Sequence, residues 1–118
     1  MSDEKDKNLE KAKQAADMVR LQQKAQEFQS KLTELGNKEY QGKVQGITIK
    51  VKGDYTVLDV QINQDYYETA SRSQMESSIL KLLVNLKNAI TADQDLLRNE
   101  LQMDLDLLKR EQMNDGTN

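Results

Sequence analysis

The chain is 118 residues long, 36% hydrophobic and 31% charged, with a formal net charge of -3; this describes one domain with a modest core, poorer in apolar residues than an average globular chain. It contains neither cysteine nor histidine, which excludes disulfides, zinc-thiolate sites and thiol nucleophiles, and also the commonest general base and metal ligand. Residues 91–118 hold three basic and seven acidic side chains whereas residues 1–35 balance at seven of each, so the acidity is C-terminal and leaves room for a basic surface elsewhere.

Residues 1–7 read as a charged, frayed lead-in without the apolar segment of a leader, and no stretch approaches the ~18 apolar residues of a membrane span. A cytosolic protein is the expectation. The first helix runs from about Asn8 to Leu35. Met18, Leu21, Ala25, Phe28, Leu32 and Leu35 fall at alternating spacings of three and four, a heptad seam facing a sheet, another helix of the chain or a second chain. Gly36-Asn37 supplies the stop after Leu35. Lys38–Lys43 is a candidate third, edge strand, blunted by lysine and glycine.

From Gly46 to Asn63 the apolar period falls to two, which predicts a β-hairpin. Gly53-Asp54 suits a two-residue turn, with glycine taking a positive φ. Counting outward pairs Lys52 with Tyr55, Val51 with Thr56, Ile49 with Leu58 and Ile47 with Val60. One face then carries Ile47, Ile49, Val51, Leu58, Val60 and Ile62; the other is polar apart from Val57. Both helices are expected to cover the apolar face.

Gln64–Ser71 reads as a loop or a single helical turn. Ser73 to Glu76 matches a capping box, so the second helix should start at Gln74. Its apolar stripe comprises Met75, Ile79, Leu82, Leu83, Leu86 and Ile90, prolonged by Leu97, Leu101 and Leu108 but wetted by Asp93 and Asp104. If continuous to Met113 the helix is about 60 Å long; a second capping box, Thr91 to Gln94, makes a break near Thr91 the competing reading. Asn114–Asn118 reads as a disordered tail.

No motif carries catalytic chemistry. Gly36–Val44 has the wrong spacing for a phosphate loop, the Asp93/Asp95 and Asp104/Asp106 pairs lack the glycine and glutamate of a calcium loop, and no serine has a histidine to activate it. The chain is therefore read as a binding protein and not an enzyme, with no metal, cofactor or small-molecule substrate. Lys13, Arg20, Lys24 and Lys31 form a stripe on the first helix that could track a phosphate backbone, although Asp17, Glu27 and Glu34 flank it and a mixed solvated face is the rival reading. Tyr40, Tyr55, Tyr66 and Tyr67 cluster around the sheet, as a base-stacking platform or as ordinary half-buried packing.

The order helix, small sheet, helix, and within it AKQAADMVRLQQKAQEFQSKLTEL, GITIKVKGDYTVLDVQIN and the Leu82-Leu83 pair with Asn88, resembles the YbaB/EbfC family of small bacterial nucleoid-associated proteins over about Lys11–Leu97. The family's glycine-rich N-terminus and proline-containing tail are missing, and the second helix runs on into an acidic extension. The resemblance implies an α+β domain spanning 1–118, with a core at about 9–97 and an acidic helical extension and tail at 98–118. It further implies a homodimer in the cytoplasm, associated with the nucleoid, that binds double-stranded DNA through backbone phosphates with little sequence specificity. The candidate DNA contacts are Lys13, Arg20, Lys24 and Lys31, with Lys81, Lys87 and Arg98 on the second helix. The expected core and dimer seam comprises Met18, Leu21, Phe28, Leu32, Ile47, Ile49, Leu58, Val60, Leu82 and Leu86. The alternative is an adaptor or prefoldin-like holdase that binds no DNA and acts through projecting helices.

Overall fold

A computed structural model describes the backbone of residues 2–115 and the side chains of residues 7–111. The elements are α1 (Ser2–Asn37), β1 (Glu39–Val44), β2 (Ile47–Lys52), β3 (Val57–Ile62), a short α2 (Gln64–Thr69) and α3 (Arg72–Asp115). The strands form one antiparallel sheet in the order β1-β2-β3. The first part of α3 lies across β1 and β2, and its remainder runs past the sheet beside α1. The result is an α+β rod measuring 87 × 23 × 13 Å.

The candidate edge strand is present as β1, pairing Tyr40 with Val51 and Val44 with Ile47. The two-residue turn of the sheet is Gln45-Gly46, between β1 and β2, where Gln45 takes φ 55°. It is not at Gly53-Asp54. The hairpin register there differs from the expected one: Val51 pairs with Val57, Ile49 with Val60 and Ile47 with Ile62.

Two one-residue shifts account for the difference. The Tyr55 amide donates to the Lys52 carbonyl at 2.8 Å and the Lys52 amide to the Thr56 carbonyl at 2.8 Å, a three-residue loop whose last residue, Tyr55, takes φ 69°. A bulge between Lys50 and Val51 then adds the second shift, with Leu58 as the extra residue. Two shifts restore parity, so Val60 and Ile62 do share a face with Ile47 and Ile49, while Val57, expected on the polar face, stands opposite Val51. Gly53 has no positive φ. It is needed because a Cβ there would lie 1.9 Å from the Leu35 carbonyl oxygen, where the loop's amides reach the end of α1: Gly53 donates to the Lys38 carbonyl at 2.9 Å and Asp54 to the Gly36 carbonyl at 3.1 Å. The loop is thus tied to the α1–β1 link, a long-range demand that hairpin statistics do not contain.

The core comprises Tyr40, Ile47, Ile49 and Val51 from the sheet and Leu82, Leu86 and Ile90 from α3, with Val44 and Tyr66 packed at its edge. Gly42 lets the helix approach, since a Cβ on it would meet Leu82 Cδ1 at 2.6 Å. Each fully buried aliphatic side chain contributes about 1.5–3 kcal/mol. The expectation that both helices cover the sheet is corrected: α3 alone does so, and α1 packs on α3. Consequently β3 has no helix over it, and Val57, Leu58, Val60 and Ile62 are 40% to 58% exposed. Leu58 and Val60 are therefore not core residues of this chain, nor are Met18 and Leu21, which are exposed on α1. Phe28 and Leu32 are half-buried; Ile47, Ile49, Leu82 and Leu86 are buried as expected.

The helix ends follow from short-range hydrogen bonds. Asn63 caps α2, its side chain accepting from the amides of Asp65 and Tyr66, so the reading of a single helical turn holds there. The capping box of α3 lies two residues before the expected one: the Gln74 amide donates to Ser71 Oγ at 3.1 Å and the Ser71 amide to Gln74 Oε1 at 2.9 Å. Glu76 instead pairs with Arg72. There is no break at Thr91, since α3 is continuous from Arg72 to Asp115; Asp93, one turn into the alternative helix, is instead engaged by Lys38 and Tyr40. α3 has 44 residues, or about 66 Å. The lead-in is helical from Ser2, and the helix continues over Asn114 and Asp115; the rest of the expected tail, residues 116–118, lies outside the described residues.

Candidate functional site

Beyond the sheet, α1 and the distal part of α3 form a two-stranded antiparallel arm. Leu97 is buried, and Phe28, Leu32, Leu101, Leu105 and Leu108 are half-buried. A cleft of about 20 Å³, room for roughly one water, is lined by Lys24, Phe28, Lys31, Leu97, Leu101 and Asp104. Apolar contact and charge share this seam, because the α3 stripe carries Asp93 and Asp104 at positions where a dry interface would have leucine.

Three cations of the expected stripe, Arg20, Lys24 and Lys31, meet carboxylates of α3. Arg20 Nη1 lies 3.3 Å from Glu111 Oε2, Lys24 Nζ 3.5 Å from Asp104 Oδ2 and Lys31 Nζ 3.5 Å from Glu100 Oε2. Lys24 also reaches Glu27, at 3.6 Å. Asp104 first, and Glu27 second, raise the pKa of the Lys24 ammonium above its ordinary value. At the base of the arm Asp93 Oδ2 accepts from Lys38 Nζ at 2.8 Å and from Tyr40 Oη at 2.6 Å. The Lys38 hydrogen bond, then that of Tyr40, holds the Asp93 carboxyl below the usual range. Burial, and then the bond to Asp93, pushes the Tyr40 hydroxyl up to about 12. Lys38 Nζ also lies 5.0 Å from the centre of the Tyr40 ring.

The expected contacts on α3 do not join this group. Lys13 is exposed farther out on α1, beyond the level at which Arg20 meets Glu111. Lys81 and Lys87 are exposed on the half of α3 that covers the sheet, and Arg98 pairs with Asp95 within α3 at 3.6 Å. The tyrosines divide: Tyr40 is buried, Tyr66 is half-buried with its hydroxyl 2.8 Å from Ser78 Oγ, and Tyr55 and Tyr67 are exposed. They do not line up as one stacking platform.

The reading of the sequence missed Asp93, Glu100, Asp104 and Glu111 as partners of the cations. The signal was present. These acids are spaced 7, 4 and 7, and read backwards from Lys38 the cations Lys31, Lys24 and Arg20 follow at 7, 7 and 4, so the two rows nearly mirror each other once the helices run antiparallel.

A second surface is apolar: the open face of β3, and on α3 the exposed Ile79, Leu80, Leu83 and Val84. Ile79 and Leu83 flank the buried stripe at about 100° per residue. No helix among the described residues is long and apolar enough to cross a membrane, and no group of three or more acidic side chains is placed to hold a metal ion. Fold and surfaces together define an α+β chain with an uncovered sheet face and a charge-laced helical arm. Comparison with protein-family models and with curated proteins gave no match.

Proposed function

We propose that this chain is a homodimeric DNA-binding protein of the nucleoid-associated kind, contacting duplex phosphates through the polar edge of its helical arms. The observation that carries this reading is the row Lys13, Arg20, Lys24 and Lys31 along one edge of a helix that stands clear of the sheet, with Lys13, Arg20 and Lys31 exposed and Lys24 half-buried. A second copy supplies the cover that the β3 face lacks, since an apolar surface of this kind is buried in most stable proteins. Two copies then present two arms, able to clamp or bridge a duplex. Recognition is by backbone charge without base readout, because the row offers ammonium heads and a single arginine and no planar forks aligned for guanine edges. Lys81, Lys87 and Arg98 are auxiliary contacts. The protein acts in the cytoplasm, on the nucleoid, with no substrate to transform.

One observation favours the second reading, an adaptor or holdase that binds no DNA: Arg20, Lys24 and Lys31 already face carboxylates of their own chain. A gel-shift titration of a random-sequence duplex at about 50 mM salt, beside sedimentation equilibrium, separates the two. The wild type is expected to sediment as a dimer at micromolar concentration and to shift the duplex. Replacing Lys13, Arg20, Lys24 and Lys31 with Gln abolishes the shift with the dimer intact, and Val60→Asp, on the open face, gives a folded monomer. Glutamine is the right replacement, because glutamates would repel Glu100, Asp104 and Glu111 and open the arm. No shift by tens of micromolar wild-type protein removes DNA as the partner.

A further inference from the structure

We propose that the distal half of α3 is a built-in competitor for nucleic acid: its carboxylates Glu100, Asp104 and Glu111 occupy the phosphate-binding edge of α1 and set how strongly the protein binds a duplex. The proposal rests on the DNA-binding reading and adds its regulation.

The geometry is a ladder. Arg20, Lys24 and Lys31 meet Glu111, Asp104 and Glu100 in antiparallel order, at 3.3, 3.5 and 3.5 Å. These are the positions a phosphate oxygen would take beside the same cations. The rungs are exposed; the cation side chains are 57%, 37% and 55% accessible, so each pair is individually weak and open to exchange. What holds the helices together is the apolar seam of Phe28, Leu32, Leu97, Leu101 and Leu108 beneath. A polyanion can therefore displace the carboxylates without separating the helices. The rungs at the base differ, because Asp93 is shared by Lys38 and the buried Tyr40; that pair anchors the arm to the sheet and takes no part in the exchange.

Masking has a measurable consequence. A cation that keeps its own carboxylate nearby neutralises little of a duplex and releases few counterions, whereas an unmasked one releases about 0.9 per phosphate contacted. Neutralising the three acids should steepen the salt dependence by two to three in log K against log salt, roughly three contacts' worth.

The test compares three full-length proteins by fluorescence anisotropy with a random 25-base-pair duplex between about 50 and 300 mM salt. They are the wild type, the isosteric variant Glu100→Gln/Asp104→Asn/Glu111→Gln, and a control, Asp59→Asn/Glu68→Gln/Glu76→Gln, with the same change in net charge at exposed carboxylates away from the arm. The arm variant is expected to bind about tenfold tighter than the wild type at 50 mM salt, with the steeper slope, and the control to change less than about threefold. Equal tightening in both variants reduces the effect to net charge and overturns the proposal, as does an arm variant that binds no better than a binding wild type; the DNA-binding reading survives either result. Absence of binding by all three overturns that reading, and the masking with it. The single change Asp104→Asn, expected to yield about a third of the slope change, keeps the test open should the triple variant fold poorly.

Discussion

The two ends of this rod are built on different physics although one helix, α3, belongs to both. At the sheet end Leu82, Leu86 and Ile90 lie on Ile47, Ile49 and Val51 in a dry, close-packed layer. On the arm the same helix sets Leu97, buried, and Leu101, half-buried, beside Phe28, and farther out Leu108 is half-buried along a seam edged with exchangeable ion pairs. A sheet gives a helix a flat surface that excludes water over its whole width, whereas a second helix covers only a narrow stripe. The first arrangement holds the fold, and the second leaves side chains available for binding.

The sharpest way to break this comparison is to delete the same atoms at both ends. Leu82→Ala, in the fully buried layer, should cost about 3 kcal/mol, and Leu101→Ala, at a half-buried seam position, about 1 kcal/mol, read from chemical denaturation midpoints at constant m. Equal losses would mean that the arm is packed as tightly as the sheet.

The junction between the two ends is tested by pH. Tyr40 holds its proton to about 12 in the folded chain against an ordinary value of 10.0, so the folded state binds a proton that the unfolded state releases. Its contribution is complete below pH 10 and is lost as pH rises towards 12, an effect of about 3 kcal/mol. Asp93 works in the opposite direction: its lowered pKa stabilises the fold above the ordinary carboxyl range and that stability is lost as pH falls through it. Tyr40→Phe should cost about 1–2 kcal/mol at neutral pH and flatten the alkaline loss. A variant with the wild-type alkaline profile would show that Tyr40 is not the group responsible.

The smallest effect belongs to the rungs. Glu100→Gln should change thermal stability by less than about 0.5 kcal/mol, and less still at high salt, because its pair with Lys31 is exposed. A loss of more than about 1 kcal/mol would mean that the ladder is structural and costly to open.

Much of the architecture was legible in the chain itself. The change of apolar period at Gly46 and the stripe from Met75 to Leu108 placed two helices and a hairpin, because local backbone preference and the pattern of one face are short-range properties; the stop after Leu35 was not met, since α1 runs through Gly36 to Asn37 with no left-handed residue there. The face assignment of Ile47, Ile49, Val60 and Ile62 was also legible, since a period of two survives any pair of compensating shifts. The turn at Gly53 was not. Its form answers to the carbonyls of Leu35 and Gly36 and of Lys38, which stand beside it only in the folded chain. The capping box was displaced for a similar reason of competition, since Ser71-Gln74 and Ser73-Glu76 both fit the motif and only one can begin the helix.

For the site, composition and periodicity determined which residues carry charge and that the cations of α1 share an edge. Only the tertiary structure decided what they face. Whether α1 lies on the sheet or beside α3 depends on which surface excludes more water, a comparison between whole faces and not between residues; once α3 has taken the sheet, α1 is left with the helix, and the antiparallel path brings Glu100, Asp104 and Glu111 to Lys31, Lys24 and Arg20. The same decision leaves Val57, Val60 and Ile62 in the open, because one helix is too narrow to cover three strands.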